Sequence, residues 1–133
     1  MTDRELVLLA QKARDNAYVP YSSYQVGAAL LCGDGSVYTG CNIENAAFTP
    51  TVCAERVAFF KALSDKKRSF VKIAVVGGKT GDISDTCTPC GVCRQVMAEF
   101  CDRDFEILTG NPDNIISHCL SELLPLAFTP REL

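Results

Sequence analysis

The sequence has little of what marks proteins that bind nucleic acids or enter membranes. Its net charge of −3 and isoelectric point near 5.1 leave no excess of basic side chains for a phosphate backbone. No apolar run approaches the ~18 residues of a membrane span. The start of the chain, Met1 to Glu5, is acidic where a signal peptide would be basic and then apolar. We therefore expect a cytoplasmic protein whose partners include no nucleic acid polymer and no membrane.

Histidine and internal repetition are also scarce. His118 is the only histidine, and its neighbours Ser117 and Cys119 offer no carboxylate or amide to orient it, so we assign it no role. The chain contains no internal repeat, linker or low-complexity segment. Its 133 residues, 47% of them hydrophobic, suffice for one ordinary core and are too few for two. We predict a single domain over residues 1–133.

Hydrophobic periodicity and turn residues predict the element order α-β-β-α-β-α-β-β-α. A capping box from Thr2 to Glu5 begins the first helix, and Val19-Pro20 ends it. The predicted strands cover residues 24–32, 37–44, 70–76, 105–108 and 115–119, and the later helices cover 53–66, 90–101 and 121–124. Gly77-Gly78 is expected to end the third strand. One sheet with helices on both faces follows, so the fold class is α/β in three layers.

The apolar residues of the two middle helices recur at helical spacing. The helix at 53–66 has Cys53, Val57, Phe60 and Leu63 in this pattern, and the helix at 90–101 has Val92, Val96 and Phe100 on its apolar side.

Cysteine, in contrast, is plentiful, with eight residues. Three of them, Cys53, Cys90 and Cys93, could hold a zinc ion and leave its fourth position open, as catalytic zinc sites do. Glu55, two residues after Cys53, is then free to handle the protons of a water at the open position. The spacing Cys-x-Glu followed by Pro-Cys-x-x-Cys is the signature of zinc-dependent base deaminases. We predict one Zn²⁺ per subunit, with Glu55 as the catalytic acid and base.

Local helix geometry supports this ligand set. Cys90 and Cys93 fall on one helical turn, and Pro89 suits the first position of that helix. Cys53 begins another helix, and helix N-termini stabilise thiolates. Three thiolates leave a site of net charge −1, which Arg56 is available to compensate. Residues two apart do not share a helix face, so Glu55 and Cys53 can meet only at the helix end.

Two other interpretations of the cysteines stay open. All of them could be buried, unreactive thiols, since free cysteine is among the most buried residue types. The run Cys87-x-x-Cys90-x-x-Cys93 also resembles the start of an iron–sulfur motif, but position 97, where the fourth cysteine is needed, is Met. We interpret Cys87 as a loop thiol. The core is predicted to include Cys32, Cys41, Cys101 and Cys119.

Asn42 and Glu44 are candidates for substrate recognition. On an extended strand they point to the same side, and an amide beside a carboxylate can satisfy a sugar hydroxyl as donor and acceptor together. The alternative is an ordinary polar strand edge leading into a loop.

The combined motifs resemble a known family. They are Pro20-Tyr21-Ser22, Val26-Gly27-Ala28-Ala29-Leu30, Gly40 to Ala47, Cys53-Ala54-Glu55-Arg56, Pro89 to Gln95 and Glu122-Leu123-Leu124-Pro125. Together they are similar to the small, homotetrameric, three-cysteine cytidine deaminases, and the resemblance runs from about Leu6 to Phe128. It implies a three-layer α/β/α fold with a mixed five-stranded sheet.

The resemblance also implies residue roles. Asn42 and Glu44 would hold the ribose, the backbone around Ala54 would meet the base, and Tyr24 would stack on it where the family often has Phe. The C-terminal Phe128 would reach a neighbouring subunit's pocket, so that the homotetramer shares its active sites. Phe48 stands where relatives can have Tyr, and any hydrogen bond from that hydroxyl is lost.

The implied reaction is the zinc-dependent hydrolysis of cytidine and 2′-deoxycytidine to the uridines and ammonia, a step of pyrimidine salvage. Blasticidin-type deaminases are a close alternative, because they share the three cysteines and the glutamate. A non-catalytic zinc or iron–sulfur module is an alternative of another class. A deaminase that acts on tRNA or DNA is disfavoured by the acidic charge and short chain.

Overall fold

The computed structural model describes residues 1–83 and 87–133, and these residues form one mixed sheet with helices on both faces. The helices are α1 (Asp3–Arg14), α2 (Ala54–Ser64), α3 (Gly91–Phe100) and α4 (Leu120–Leu123), followed by a 3₁₀ turn at Pro130–Glu132. The strands are β1 (Tyr24–Cys32), β2 (Val37–Cys41), β3 (Phe70–Lys79), β4 (Glu106–Asn111) and β5 (Asn114–Cys119).

The sheet has the strand order β2-β1-β3-β4-β5. β1 pairs antiparallel with both β2 and β3, β3 pairs parallel with β4, and β4 pairs antiparallel with β5. The single parallel pair requires a crossover, which α3 supplies between β3 and β4. The predicted mixed five-stranded sheet is therefore confirmed.

Two buried clusters lie on opposite faces of the sheet. On one face, α1 contributes Leu6, Val7 and Ala10, which pack with β-strand residues such as Ala29 and Leu108. On the other face, α2 and α3 bury a larger cluster that includes Phe59 and Met97. Alternating side chains along β1 and β3 supply both clusters, as expected for a sheet covered on both sides. The three-layer prediction is confirmed.

The predicted capping box is also present: Thr2 Oγ1 accepts from Glu5 N at 3.1 Å, and Glu5 Oε2 accepts from Thr2 N at 2.9 Å. Where α1 crosses the sheet, it approaches β1 so closely that a Cβ on Gly27 would lie 2.0 Å from the Ala10 carbonyl oxygen. A glycine at this position allows the close helix–strand contact.

Three strand ends differ from the prediction by three residues each. β2 ends at Cys41 rather than at residue 44, and the following backbone continues only as isolated bridges through Ile43. β3 continues through Gly77-Gly78 to Lys79, because both glycines pair with β1. β4 extends to Asn111, whose side chain accepts from the turn amides of Asp113 and Asn114 and so closes a tight hairpin with β5.

The predicted apolar sides of α2 and α3 are only partly buried. In α2 the buried residues are Ala54, Glu55, Ala58, Phe59 and Ala62, whereas Phe60 is 49% exposed. In α3 the buried residues are Cys93, Met97 and Ala98, whereas Val92 and Phe100 are exposed. Both helices therefore carry apolar residues on two sides: of the predicted residues, Leu63 and Val96 pack against the core, whereas Phe60, Val92 and Phe100 are exposed.

No helix in the described part of the chain combines the length and apolar character needed to cross a bilayer.

Candidate active site

The sulfurs of Cys53, Cys90 and Cys93 form one cluster. The Cys53 and Cys90 sulfurs are 3.7 Å apart, the Cys90 and Cys93 sulfurs are 3.6 Å apart, and all three lie within 4.8 Å of one another. Residues that are 37 positions apart in sequence are thus brought into contact. Soft thiolate donors at these separations suit a zinc ion, so the cluster fits the predicted metal.

Two helix N-termini converge on the cluster. Cys53 is the N-cap residue of α2 and Cys90 is the N-cap residue of α3, so both precede their helices. The partial positive charge of each helix start favours the thiolate form of the cysteine beside it. Pro89 was predicted at the first helical position and instead lies just before the N-cap.

Arg56 supplies positive charge to the cluster. Its Nη2 donates a hydrogen bond to the Cys53 sulfur at 3.4 Å. Hydrogen bonds from the Cys93 thiol and from Arg56 lower the pKa of Cys53 to about 5, although burial opposes this. Burial also opposes the charge of Arg56 itself, but hydrogen bonds to Cys53 and Cys93 outweigh it and raise the pKa of the guanidinium. The cysteine-rich site therefore contains a permanent cation.

Glu55 is the one buried carboxylate among the described residues. Its side chain is 4% exposed, and Cys53 and Cys93 of the thiol cluster both influence its pKa, so it adjoins the cluster. Burial raises the pKa of the Glu55 carboxyl to about 7. A carboxyl group with such a pKa can both accept and release a proton near neutral pH. Because Cys53 precedes the helix, both side chains reach the same point at the start of α2.

Cys87 lies outside the cluster. Its side chain is 8% exposed and belongs to the core beneath α2 and α3. Burial is the main reason that the pKa of this thiol is raised, to about 11. It is therefore a protonated loop thiol, as predicted, and the iron–sulfur interpretation loses one of its three cysteines.

Asn42 directly follows β2, and its side chain hydrogen-bonds to the backbone of β1. Its Oδ1 accepts from Val26 N and its Nδ2 donates to the Tyr24 carbonyl, both at 2.9 Å. These bonds hold the amide beside the start of β1 and leave one N–H and part of the oxygen for another partner.

Glu44 holds the loop that precedes β1. Its Oε1 accepts from the backbone amides of Tyr21 and Ser22 at 3.0 and 3.1 Å, and its Oε2 accepts from the Ser22 hydroxyl. The bond from the Ser22 side chain is the main cause of the lowered pKa of Glu44. Ser22 Oγ also accepts from Tyr24 N at 3.0 Å. The structure thus connects Glu44, Ser22, Tyr24 and Asn42 through hydrogen bonds.

A cleft of about 310 Å³ lies beside this network, lined by Tyr21, Ser22, Glu44, Asn45, Phe48 and Thr51. The ring of Phe48 meets the ring of Tyr21 edge-on at a centroid distance of 6.4 Å. Phe48 is otherwise exposed, so its ring forms an open apolar wall.

Ala54 and Phe128, two residues expected to contact the substrate, differ in their exposure. Ala54 is fully buried at the start of α2, so neither its side chain nor its backbone is exposed in the single chain. Phe128 is 61% exposed, and its carbonyl accepts from Gln95 Nε2 of α3 at 2.8 Å. No described contact brings the Phe128 ring to the thiol cluster of its own chain.

The comparisons with known proteins agree with this geometry. The family model for the cytidine and deoxycytidylate deaminase zinc-binding region matches residues 1–109. The chain belongs to this deaminase family. The family resemblance inferred from the motifs is confirmed, and so is the prediction that the chain is a deaminating enzyme.

Three relatives show how far the similarity extends. A cytidine deaminase of Sporosarcina psychrophila is 50% identical over 134 aligned residues, which cover 100% of this chain and 96% of the relative. One from Halalkalibacterium halodurans is 51% identical over 133 aligned residues, 98% of each chain. The crystal structure of cytidine deaminase from Burkholderia pseudomallei has a TM-score of 0.87 at 44% identity and covers 96% of this chain and 100% of that one.

Several residues of the site were not assigned a role from the sequence. Ser22 and Gln95 lay inside quoted motifs, but only the structure shows that Ser22 binds Glu44 and that Gln95 holds the C-terminal segment. His118, which was assigned no role, is paired with Thr109 Oγ1 at 3.3 Å on β4 and β5. In the sequence, only the two-residue spacing of Ser22 and Tyr24 hinted that the Ser22 hydroxyl could bind the Tyr24 amide.

Proposed function

We propose that the chain catalyses the hydrolytic deamination of cytidine and 2′-deoxycytidine to uridine and 2′-deoxyuridine, with release of ammonia. The proposal depends mainly on the position of Glu55, a buried carboxyl in contact with a three-cysteine cluster. In a zinc-binding deaminase family, this arrangement suits a group that carries protons between water and a base.

Cys53, Cys90 and Cys93 would hold one Zn²⁺ per subunit. When bound, zinc would lower the pKa of a water from 15.7 toward about 7, so that hydroxide is available at neutral pH. The cluster supplies three thiolates, and Arg56 offsets part of their negative charge through its bond to Cys53.

Glu55 would carry the protons of the reaction. Its carboxylate accepts a proton from the attacking water and delivers it to N3 of the cytosine ring as the new C–O bond forms at C4. It then transfers the second proton of that water to the departing amine, so that ammonia leaves and the C4 carbonyl forms. Burial favours this role because it keeps the two protonation states of Glu55 close in free energy.

Asn42, Glu44 and Tyr24 would bind the nucleoside. Glu44 and Asn42 retain free hydrogen-bonding capacity beside the loop at 21–24, as recognition of ribose hydroxyls requires. Tyr24 would stack on the base, and the backbone at Ala54 would hydrogen-bond with its edge. A site that pairs with sugar hydroxyls rejects analogues that lack them, which favours nucleosides over free cytosine and blasticidin S.

A homotetramer with shared active sites would complete the pocket. Gln95 of α3 holds the backbone carbonyl of Phe128, and the Phe128 ring is exposed, so the ring is free to enter the site of a neighbour. The outer sides of α2 and α3 form an apolar groove lined by Phe60, Val92, Val96 and Phe100. A second copy of this chain would cover the groove and bring Phe128 to the neighbouring pocket. The proposed setting is cytoplasmic pyrimidine salvage.

A substrate panel tests the proposal. Zinc-loaded protein is mixed with cytidine, 2′-deoxycytidine, cytosine or blasticidin S, and loss of absorbance is followed beside a chelated sample and metal analysis. We expect turnover of the two nucleosides, one zinc per chain and no colour. If only blasticidin S were deaminated, the protein would be a blasticidin-type deaminase and the proposal would be wrong. A coloured protein without turnover would support an iron–sulfur module.

A further inference from the structure

Arg94 joins two segments of the chain that meet beside α3. Its Nε donates to the Pro89 carbonyl at 2.7 Å, and its Nη1 donates to the Leu123 carbonyl at 2.6 Å. A longer bond runs from its Nη2 to Thr88 Oγ1 at 3.4 Å. Because a planar guanidinium carries donors that point in different directions, this one side chain binds the chain before α3 and the chain after α4 at the same time.

The segment before α3, residues 88–90, is called the zinc loop here, and it contains the most exposed cysteine of the cluster. Cys90 is exposed, whereas Cys53 is half-buried and Cys93 is buried. Packing therefore restrains Cys90 least, and its backbone has to place the sulfur. Arg94 fixes that backbone on both sides, since its side chain binds the Pro89 carbonyl and its amide binds the Cys90 carbonyl at 3.0 Å.

The same turn of α3 also holds the C-terminal segment, residues 123–128. Leu123 is the last residue of α4 and is bound by Arg94. Gln95, the next residue of α3, donates from Nε2 to the Phe128 carbonyl at 2.8 Å. These two neighbouring side chains hold both ends of the segment by its backbone and leave the Phe128 ring exposed.

We propose that Arg94 is a positioning residue that fixes the zinc loop and the C-terminal segment relative to each other. It holds Cys90 in place for the metal and keeps the segment that bears Phe128 against α3. The inference rests on the proposed function, because it requires zinc at the three cysteines and a role for Phe128 in a neighbouring pocket. Ligands that are held in place before binding lose less conformational freedom when the metal binds.

Three variants separate hydrogen bonding from charge, since a cation near three thiolates also favours zinc. Arg94→Gln removes the charge and most of the donors. Arg94→Lys keeps the charge but offers a single ammonium group, which cannot reproduce the fork that binds both carbonyls. Arg103→Gln is the matched control. Arg103 Nη2 donates to the Leu124 carbonyl of the C-terminal segment at 2.9 Å and, among the described residues, to no group of the zinc loop.

Two measurements that need no substrate are made on each variant. Zinc affinity is measured by competition with a chromophoric chelator, and hydrogen exchange of the C-terminal segment is measured on the zinc-loaded protein. We expect both Arg94 variants to bind zinc about 10- to 100-fold more weakly, the range for partners that orient metal ligands. Exchange in the segment should rise about 2- to 10-fold, the range for one lost hydrogen bond. Arg103→Gln should raise exchange and leave zinc affinity unchanged.

Other outcomes would overturn the inference. Full zinc affinity in Arg94→Lys would mean that charge, and not the bonding geometry, supports the metal. Unchanged exchange in both Arg94 variants would mean that Arg94 does not hold the C-terminal segment. Equal losses of zinc affinity in Arg103→Gln and Arg94→Gln would mean that no specific bond to the zinc loop is involved. If circular dichroism shows that Arg94→Gln does not fold, Arg94→Lys decides alone. Failure of the proposed function is a separate result, namely an unmutated protein that binds zinc and does not deaminate cytidine.

Discussion

Arg56 and Cys53 are joined by a hydrogen bond of 3.4 Å between Nη2 and the sulfur, at the start of the helix that also bears Glu55. In the proposed mechanism, the start of α2 would therefore supply a metal ligand, a proton carrier and a cation. Since three thiolates exceed the charge of a divalent metal by one, the cation balances the site without occupying a ligand position.

Arg56→Gln should weaken zinc binding about 10- to 100-fold, the usual cost of losing a hydrogen bond to a ligand. The Gln side chain removes the positive charge that favours the Cys53 thiolate. Zinc affinity is measured by competition with a chromophoric chelator. Arg68→Gln is the matched control, because within the described residues Arg68 donates to the Leu63 and Lys67 carbonyls and to no group of the site. If both variants bound zinc with equal affinity, Arg56 would not stabilise the thiolates of the site.

Cytidine should be preferred over its 5′-monophosphate. Hydrogen bonds hold the pKa of Glu44 below its ordinary value, so the carboxylate is charged at neutral pH and repels a phosphate. Glu44→Gln should reduce the ratio of kcat/KM for cytidine to that for the monophosphate. Asp113→Asn, which removes one exposed negative charge elsewhere, should leave this ratio unchanged. Preference for the monophosphate by the unmutated protein would refute the role of Glu44.

Gly27→Ala should lower the free energy of unfolding by about 1–3 kcal/mol, the cost of overpacking a tight contact. The added Cβ would lie 2.0 Å from the Ala10 carbonyl oxygen and would force α1 away from the sheet. Gly91→Ala is the control, since no described atom beyond its own helix backbone and chain neighbours lies within 4 Å of the place that its methyl group would take, and alanine favours a helix. The free energy of unfolding of both variants is measured by urea denaturation. Equal midpoints would mean that the close contact between α1 and β1 does not stabilise the fold.

Phe60→Glu should give assemblies smaller than a tetramer and lower the deaminase activity. The charge would lie in the apolar groove on the outer side of α2 and α3, where a second copy is proposed to pack. Light scattering after gel filtration measures the mass. Val71→Glu alters another exposed apolar residue, at the start of β3, and should leave the mass unchanged. A fully active monomeric Phe60→Glu variant would contradict the shared active site.

The three-cysteine cluster could be predicted because its residues are local in sequence. Cys53, Glu55 and Arg56 lie within one helical turn, and Cys90 and Cys93 lie within another, so spacing alone restricts their geometry. The order of the elements along the chain also followed from periodicity and turn residues, whereas the strand order β2-β1-β3-β4-β5 was not predicted.

The helix faces could not be predicted in the same way. Periodicity identifies apolar residues and does not say whether the sheet or another surface covers them. In α2 the small residues Ala58 and Ala62 face the sheet beside Phe59, while the larger Phe60 points outward. A helix with apolar residues on two sides gives no single preferred face, and tertiary packing decides between them.

Contacts between residues far apart in the sequence could not be predicted either. The extension of β3 through Gly77 depends on its pairing with Val26 and on the Cys87 sulfur that packs against it. The roles of Ser22 and Gln95 depend on partners that are more than 20 residues away. Such contacts are set by the assembled fold and leave no periodic signal in the sequence.

The most direct test of the account is the turnover of Glu55→Gln, compared with the unmutated protein at equal zinc content. Gln keeps the size of the side chain and cannot carry protons, so kcat for cytidine should fall at least about 10²- to 10⁴-fold while one zinc per chain remains bound. Near-normal turnover of the zinc-loaded Glu55→Gln protein would contradict the central claim that Glu55 carries the protons of the reaction.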